Sequence, residues 1–377
     1  MTGQCGNVVV MNPRTIFFAT CASTIAIACT SSSGVSSDAA VDAGVAADVG
    51  TQGDGASDSD GSTLKAGVHK IVFAADFDTN GGCKDHGTND QCDLYTAELT
   101  LGDGSVSNIK RATSTTVSES YPAWNPNGKV VYYTIFKDVR TKDLGYVDLN
   151  TGNASTLIAN GSWAAVSPDG STLLYNEGKS SLLMSAPLTG GGLTLGTATA
   201  LTGVPAQEDP DYSTDGRYVV LHEITKDTGA VGQVFDTQTK KVTSWGEESG
   251  HCGFGIDSLN TLCDNSKGGG VQSKLFKDGS LGPTSLFLAD LKASVISAYD
   301  SELAPCQGVS FNYPTFCGDD KHLLVSTSCN QNGAVTFSRL FLADLSGASP
   351  VYRPLGKTLA EAYKGAGKSS WTVSCLR

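Results

Sequence analysis

The stretch YPAWNPNGKVVYYT, residues 121–134, places a proline and glycine turn between an aromatic segment and a run of apolar residues. The same arrangement returns with Ser-Pro-Asp-Gly at its centre, which explains the turn: proline fixes φ at the first corner, aspartate bonds to the local backbone, and glycine takes a positive φ. Each copy therefore predicts a tight hairpin that joins two β-strands.

Four further copies follow the first at intervals of 42, 46, 42 and 62 residues: WAAVSPDGSTLLYN (163–176), DPDYSTDGRYVVLH (209–222), HCGFGIDSLNTLCD (251–264) and YPTFCGDDKHLLVS (313–326). Periods of this size indicate a repeat architecture. The last two turns, GIDS and CGDD, depart from the Pro-Asp-Gly pattern.

A second motif recurs independently, with Leu, then Ala or Val, then Leu at fixed offsets. Its copies are LYTAEL (94–99), LGYVDL (144–149), LMSAPL (183–188), LFLADL (286–291) and LFLADL (340–345), with QVFDT (233–237) as a looser sixth. Each precedes another short strand candidate. Four strands repeated six times predict an all-β, six-bladed β-propeller over residues 67–377. Seven blades are the alternative, because the 62-residue interval is long enough to contain irregular strands.

The first repeat begins directly with HKIVFAADF (69–77) and has no turn motif before it. The last residues, SSWTVSCLR (369–377), resemble the strand ahead of the second turn copy, GSWAAVS (161–167). We therefore expect the C-terminal strand to complete blade 1, because an open ring would leave two unpaired strand edges.

The N-terminal residues 1–28 are predicted to be an export signal: Arg14 precedes an apolar run too short to span a bilayer, with Met11 an alternative start. The run ends in Ala-Ile-Ala ahead of Cys29, which resembles a bacterial lipobox and makes Cys29 the candidate for lipidation; ordinary cleavage and a plain hydrophobic tail are the alternatives. Residues 29–66 are small, polar and acidic, as expected of a flexible tether. These features predict a lipid-anchored protein of the bacterial envelope, at the outer membrane or facing the periplasm.

Eight cysteines follow the tether, and an even number in an exported domain suggests disulfides. Cys252 and Cys263 face each other across one hairpin, and a bond between Cys83 and Cys92 would join the two ends of an insertion in blade 1. Cys317 and Cys375 occupy equivalent inner-strand positions in blades 6 and 1, which leaves Cys306 with Cys329. Eight cysteines allow 105 pairings, and the register favours these four.

The series of strand, acidic hairpin, DLYTAEL, GDGS and PAWNPNG over residues 69–128 resembles the WD40-like (PD40) repeats of TolB-like propellers. The resemblance extends over about 67–377 and implies a six-bladed propeller of the bacterial envelope. The additional N-terminal domain of TolB is not found, so binding to its partners is not implied.

The first position of each turn motif begins an innermost strand, close to the mouth of the central channel. Aromatic, acidic and imidazole side chains there would bind a sugar or peptide by stacking and hydrogen bonding; the alternative is that the aromatic rings pack between blades. These channel-mouth candidates are Tyr121, Trp163, Asp209, His251, Tyr313 and Trp371.

A calcium-loop pattern begins at residue 76, where Asp76, Asp78 and Asn80 alternate as the first ligands of such a loop do. Gly87 stands at the twelfth position, where a bidentate glutamate is required. We therefore interpret the segment as an acidic hairpin tip stapled by a disulfide, with calcium binding as the alternative and no other cofactor expected.

The formal net charge of −12 disfavours nucleic acid and anionic membrane surfaces as partners. No GxSxG elbow occurs, and adjacent strand carboxylates such as Glu208 and Asp209 point to opposite faces, so an enzyme is not expected. The sequence predicts a monomeric, non-enzymatic scaffold that binds an envelope protein and touches the membrane only through its lipid. A glycan-binding or glycan-active propeller that uses the aromatic channel mouth is the alternative.

Overall fold

The computed structural model describes residues 66–377, apart from 78–82, 84–91, 139–140, 179–181, 205–206, 226–228, 258, 266–269, 290, 293–297, 299–303, 332–333, 356–357, 360 and 362–368. The described residues form six antiparallel sheets, each built around four strands. The protein is therefore an all-β, six-bladed propeller, as predicted.

In the first three blades, the strands follow one another from the innermost to the outermost. Blade 1 contains β26 (Ser369–Cys375), β1 (Val68–Asp76), β2 (Asp93–Thr100) and β3 (Val106–Arg111). Blade 2 contains β4 (Ser118–Trp124), β5 (Val130–Phe136), β6 (Lys142–Asp148) and β7 (Asn153–Ile158). Blade 3 contains β8 (Gly161–Val166), β9 (Thr172–Glu177), β10 (Leu182–Thr189) and two short strands that both pair with β10, β11 (Thr194–Leu195) and β12 (Thr199–Ala200). A 3-10 turn, Gly190–Gly192, follows β10.

The other three blades repeat this arrangement. Blade 4 contains β13 (Gln207–Tyr212), β14 (Tyr218–Thr225), β15 (Gly229–Asp236) and β16 (Val242–Glu248). Blade 5 contains β17 (Cys252–Phe254), β18 (Asn260–Asp264), β19 (Val271–Lys277) and β20 (Ser280–Leu288). Blade 6 contains β22 (Gly308–Cys317), β23 (Asp319–Gln331), β24 (Ala334–Asp344) and β25 (Val351–Pro354), with the short β21 (Leu291–Lys292) on the other side of β22.

The C-terminal strand closes the ring in the predicted way. β26 pairs antiparallel with β1, with Ile71 opposite Cys375 and Phe73 opposite Val373. Blade 1 is thus made from both ends of the propeller sequence, and neither end leaves an open sheet edge at the closure.

The repeated turn motif forms the hairpin between the two innermost strands of a blade. In blade 3, Gly170 has a φ of 71° and donates from its backbone N–H to the Ser167 carbonyl at 2.8 Å, while the Asp169 carboxylate accepts from the Ser171 N–H at 3.0 Å. The glycine therefore provides the left-handed corner and the aspartate holds the local backbone, as the motif requires.

One copy of the Leu-based motif does not occupy the predicted place. Because each copy precedes one more strand candidate, the pattern predicts the copy at 286–291 in the third strand of blade 5. Its first residues instead belong to the outermost strand β20, and the third strand is β19. The reason is a two-residue hairpin: Lys277 pairs with Ser280 around Asp278 and Gly279, whose φ values of 52° and 76° suit a type I′ turn. The short strand candidate that follows this copy, SVISAY (294–299), lies almost wholly outside the described residues.

Six hydrophobic cores fill the six boundaries between neighbouring blades. At the closure, strands of blades 1 and 6 share one core, which contains Ile71, Phe73 and Leu324 with no exposed surface. The rings of Phe73 and Tyr95 stack there with centroids 5.9 Å apart. Each large apolar side chain buried in this way stabilises the fold by about 1.5 to 3 kcal/mol, so the ring is held by all six boundaries together.

The eight cysteines of the propeller form the four pairs that the register favours. Cys83 is bonded to Cys92, Cys252 to Cys263, Cys306 to Cys329, and Cys317 to Cys375. The last bond joins β22 of blade 6 to β26 of blade 1 and therefore links the two sides of the closure covalently.

The chain divides into two units, Met1–Gln52 and Gly53–Arg377. The predicted signal, Cys29 and all but the last residue of the predicted tether lie outside the described residues. Among the residues that are described, no helix has the length and apolar character needed to cross a membrane.

Candidate functional site

Five of the six side chains predicted at the channel mouth meet one another at the centre of the ring. Tyr121 of blade 2 and His251 of blade 5 come from opposite sides of the ring, and their ring centroids are 6.4 Å apart. Three further polar residues join them. We call the whole group the axial cluster: Tyr121, Trp163, Asp209, His251, Tyr313, Lys142, His222 and Asp264. Trp371 lies in β26 at the corresponding place in blade 1, and its side chain is outside the described residues.

A shared backbone irregularity brings the first motif position to the centre. Tyr121, Trp163, Asp209 and Tyr313 have φ values of 54°, 46°, 49° and 51°, in the left-handed region. Each stands where the innermost strand carries two residues opposite one residue of the next strand. This bulge redirects the side chain, and a left-handed conformation costs a residue other than glycine roughly 1–2 kcal/mol.

The same bulge explains the prolines of YPAW, DPDY and YPTF. Pro122, Pro210 and Pro314 are the second bulge residues of the innermost strands; β4 and β13 are edge strands, and β21 pairs with β22 only at residues 308–309, away from Pro314. Proline has no N–H to give to a sheet, so an edge strand and a bulge are the positions that tolerate it. The proline between the aromatic residue and the turn therefore marks the bulge that forms the axial cluster.

The aromatic members of the axial cluster bond and stack with one another. The hydroxyls of Tyr121 and Tyr313 are 2.7 Å apart and share a hydrogen bond. The Tyr313 ring lies over His251 with centroids 3.6 Å apart, and the Trp163 ring meets Tyr121 edge-on at 5.9 Å. These rings therefore pack at the axis rather than only between neighbouring blades. The two tyrosine hydroxyls are paired with each other, whereas the buried Nε1 of Trp163 has no hydrogen-bond partner among the described residues.

His251 is held between two carboxylates. Its Nδ1 lies 2.9 Å from Asp264 Oδ2, and its Nε2 lies 3.3 Å from Asp209 Oδ2. Burial alone would lower the pKa of His251, but the attraction of Asp264 and Asp209 outweighs it and raises that pKa above 6.5. Burial raises the pKa of Asp209 to about 7, against the opposing effect of His251. Both ring nitrogens of His251 thus face acceptors of the protein itself.

Two further members complete the electrostatics of the axial cluster. Burial lowers the pKa of His222 to about 3, so this imidazole is neutral at pH 7. Lys142 Nζ lies 3.6 Å from the centroid of the Trp163 ring, and burial lowers the pKa of this ammonium although Glu208 and Asp209 counteract the effect. The cation covers the aromatic face on which a sugar ring would stack.

The fourteenth motif position was overlooked in the sequence although it carries a signal. In all five copies it is polar while apolar residues precede it, and in the structure it is buried. Two of these residues bind the next innermost strand: Thr134 Oγ1 accepts from the Trp163 N–H at 3.0 Å, and Asp264 Oδ2 accepts from the Tyr313 N–H at 3.2 Å. In blade 1, Thr372 Oγ1 accepts from the Tyr121 N–H at 2.9 Å. The fourteenth positions are Thr134, Asn176, His222, Asp264 and Ser326.

Two of the three predicted calcium ligands lie outside the described residues. Asp76 is buried at the end of β1, with 2% of its surface exposed, while Asp78 and Asn80 are not described. Among the residues that the structure does describe, no group of three or more His, Cys, Asp or Glu side chains is arranged to hold a metal ion.

The fold and the axial cluster define a closed six-bladed β-propeller whose central axis is spanned by its own polar and aromatic side chains. No protein-family model matches the chain, and no curated protein matches its sequence.

Solved structures give fold-level similarity, and TolB is among them. The crystal structure of TolB from Acinetobacter baumannii has a TM-score of 0.55 and 14% identity, with 82% of this chain and 66% of that chain covered. A chain of the nidogen/laminin complex has a TM-score of 0.53 and 12% identity, with 82% and 99% covered. The periplasmic gluconolactonase PpgL of Pseudomonas aeruginosa has a TM-score of 0.45 and 15% identity, with 76% and 82% covered. This chain spans just under two thirds of the TolB chain, and at these identities the similarity concerns the fold alone.

Proposed function

We propose that this protein is a non-enzymatic, lipid-anchored propeller of the bacterial envelope that binds a protein partner. The anchor at Cys29 and the acidic tether are inferred from the sequence. The tether of about 37 residues has a typical end-to-end distance of roughly 30–35 Å. This distance would allow the propeller to bind a partner near the membrane.

The observation that carries the proposal is the position of His251 between two carboxylates of the axial cluster. A catalytic histidine needs a nitrogen free to exchange a proton with its substrate, whereas His251 has a carboxylate on each side. The buried His222 is only 4% exposed. The centre of the ring thus supports a rigid hub, which leaves the outer surfaces of the blades for recognition.

Glycan binding or glycan chemistry at the channel mouth is the second candidate function. It is favoured by the 28% exposure of the His251 side chain and by the partial exposure of Tyr121 and Tyr313 in a neighbourhood that contains carboxylates. In this case the Trp163 ring would have to lose its Lys142 cover when the sugar binds.

Crosslinking of the full-length protein in living cells tests the proposal, with Trp163→Ala as the informative variant. Trp245→Ala is the matched control, because Trp245 is also buried and also lies under a lysine, with Lys274 Nζ 5.1 Å from its ring. We expect one dominant protein partner to be recovered with the wild type and with both variants.

Two other outcomes would contradict this function. If no specific protein is recovered, the scaffold role is refuted. If the purified protein binds envelope glycans and only Trp163→Ala abolishes that binding, the glycan function replaces it.

A further inference from the structure

The outermost strand of each blade exposes a row of backbone N–H and C=O groups, and most of the described outer strands are protected against pairing. Proteins block such edges with charge, proline, bulges or short strands. Four blades show charge or proline and a fifth has only two-residue outer strands: Lys110 and Arg111 in β3, Glu247 and Glu248 in β16, Pro283 in β20, Arg353 and Pro354 in β25, and the short β11 and β12.

The outer strand of blade 2, β7 (Asn153–Ile158), has neither a charge nor a proline. Its sequence NASTLI contains no charge and no proline, and the sequence has no charged residue between Asp148 and Asp169. The first four residues of the strand are exposed. Residues 153–156 keep an unbroken antiparallel register with β6, from Asp148 opposite Asn153 to Gly145 opposite Thr156. β7 is therefore an uncharged and accessible edge, with a regular register over residues 153–156 and a bulge at Leu157.

The chemistry of this edge suits an added strand. About half of the residues in an edge strand direct their N–H and C=O groups away from the neighbouring strand, so β7 offers about three donors and three acceptors. The hydroxyls of Ser155 and Thr156 can pair with polar side chains of the added strand. Leu157 and Ile158, both half-buried against the core between blades 2 and 3, favour a β-branched or aromatic residue opposite them.

We propose that β7 binds an extended, uncharged segment of a partner protein by adding it to blade 2 as a fifth strand. This inference rests on the protein-binding function proposed above and gives that function a location. A second copy of the chain is disfavoured as the occupant, because two molecules with a formal charge of −12 each repel one another. Because β7 offers no charged side chain to pair with, an uncharged partner strand satisfies the open hydrogen-bonding groups without leaving a charge unpaired against the edge.

A photo-crosslinking amino acid placed at Thr156 in the full-length protein tests the contact in cells. The same amino acid at Ser107, an exposed residue of the charged edge β3, is the control. We expect position 156 to capture a partner through an extended, uncharged peptide, and position 107 to leave that peptide unlabelled. With the captured partner purified, amide hydrogen exchange of residues 153–158 should slow on binding.

A charge placed on the edge provides the second measurement. Ser155→Lys should weaken binding of the purified partner by about tenfold, because a lysine on an edge opposes strand addition, whereas Ser107→Lys should change it by less than about twofold. Both substitutions are at exposed positions, and an unchanged melting temperature verifies that the variants fold.

The outcomes separate this proposal from the function on which it rests. If a partner is captured from other surfaces and Ser155→Lys binds it as wild type does, the scaffold function stands and the β7 proposal is refuted. If position 156 crosslinks to a second copy, β7 is a self-association edge and the proposed occupant is wrong. If no position captures a specific protein, both proposals fail.

Discussion

The disulfide between Cys317 and Cys375 closes the ring covalently, and its removal measures what that closure contributes. The bond spans 58 residues of sequence and joins blade 6 to the strand that completes blade 1. In the chain-entropy description, a loop of this length stabilises the fold by about 4 kcal/mol, through the freedom that it removes from the unfolded chain.

The Cys252–Cys263 bond is a matched control, because it spans 11 residues and lies within one hairpin. The same description gives about 3 kcal/mol for this loop. Replacing both cysteines of a pair by alanine changes the composition identically in the two cases. We therefore expect Cys317→Ala/Cys375→Ala to cost about 1–1.5 kcal/mol more than Cys252→Ala/Cys263→Ala.

Urea denaturation of the oxidised proteins, followed by tryptophan fluorescence, measures both losses in the free energy of unfolding. A larger m-value for the ring-closure variant is also expected, because its unfolded chain is less restricted and exposes more surface. Equal losses of unfolding free energy for the two variants would refute the dependence on loop length. They would mean that the pairing of β26 with β1, rather than the disulfide, stabilises the ring closure.

Three further predictions concern individual side chains. Burial raises the pKa of Glu119 from 4.5 to about 7, so the stability that its protonated carboxyl contributes is present below pH 4.5 and is lost as the pH rises towards 7. Glu119→Gln should remove this loss, so the variant should gain about 3 kcal/mol of unfolding free energy over wild type between pH 4.5 and 8 in urea titrations. A difference that does not change with pH would contradict the assignment. Lys240→Gly should be more stable than Lys241→Gly by about 1–2 kcal/mol in the same assay, because only Lys240 has a left-handed φ, of 60°; equal stabilities would show that its conformation is unstrained. Tyr313→Phe should cost about 1 kcal/mol by removing the hydrogen bond to Tyr121, and a Tyr121→Phe/Tyr313→Phe variant that loses twice as much would show that the hydroxyls act separately.

The repeat pattern was sufficient to predict the blades because its signals are local. Proline, aspartate and glycine specify the hairpin within a few residues, and the recurrence of that hairpin gives the period of the fold. The ring closure was also predictable, since SSWTVSCLR resembles an innermost strand and an unpaired first blade requires one. Blade 5 was misassigned in part because its Asp278–Gly279 turn, itself a strong local signal, was passed over in favour of a similarity to LFLADL.

The class of fold, the register of the hairpins and the residues that begin the innermost strands follow from local sequence patterns. The role of those residues depends on contacts between blades. Tyr121 and His251 are 130 residues apart in sequence. The repeat period does not predict whether side chains from opposite blades leave the channel open or meet across it. That outcome depends on the bulges, which turn the first motif positions towards the axis, and on the buried fourteenth positions, which hold them there. It is a property of six blades packed together, so it arises only when the ring is complete.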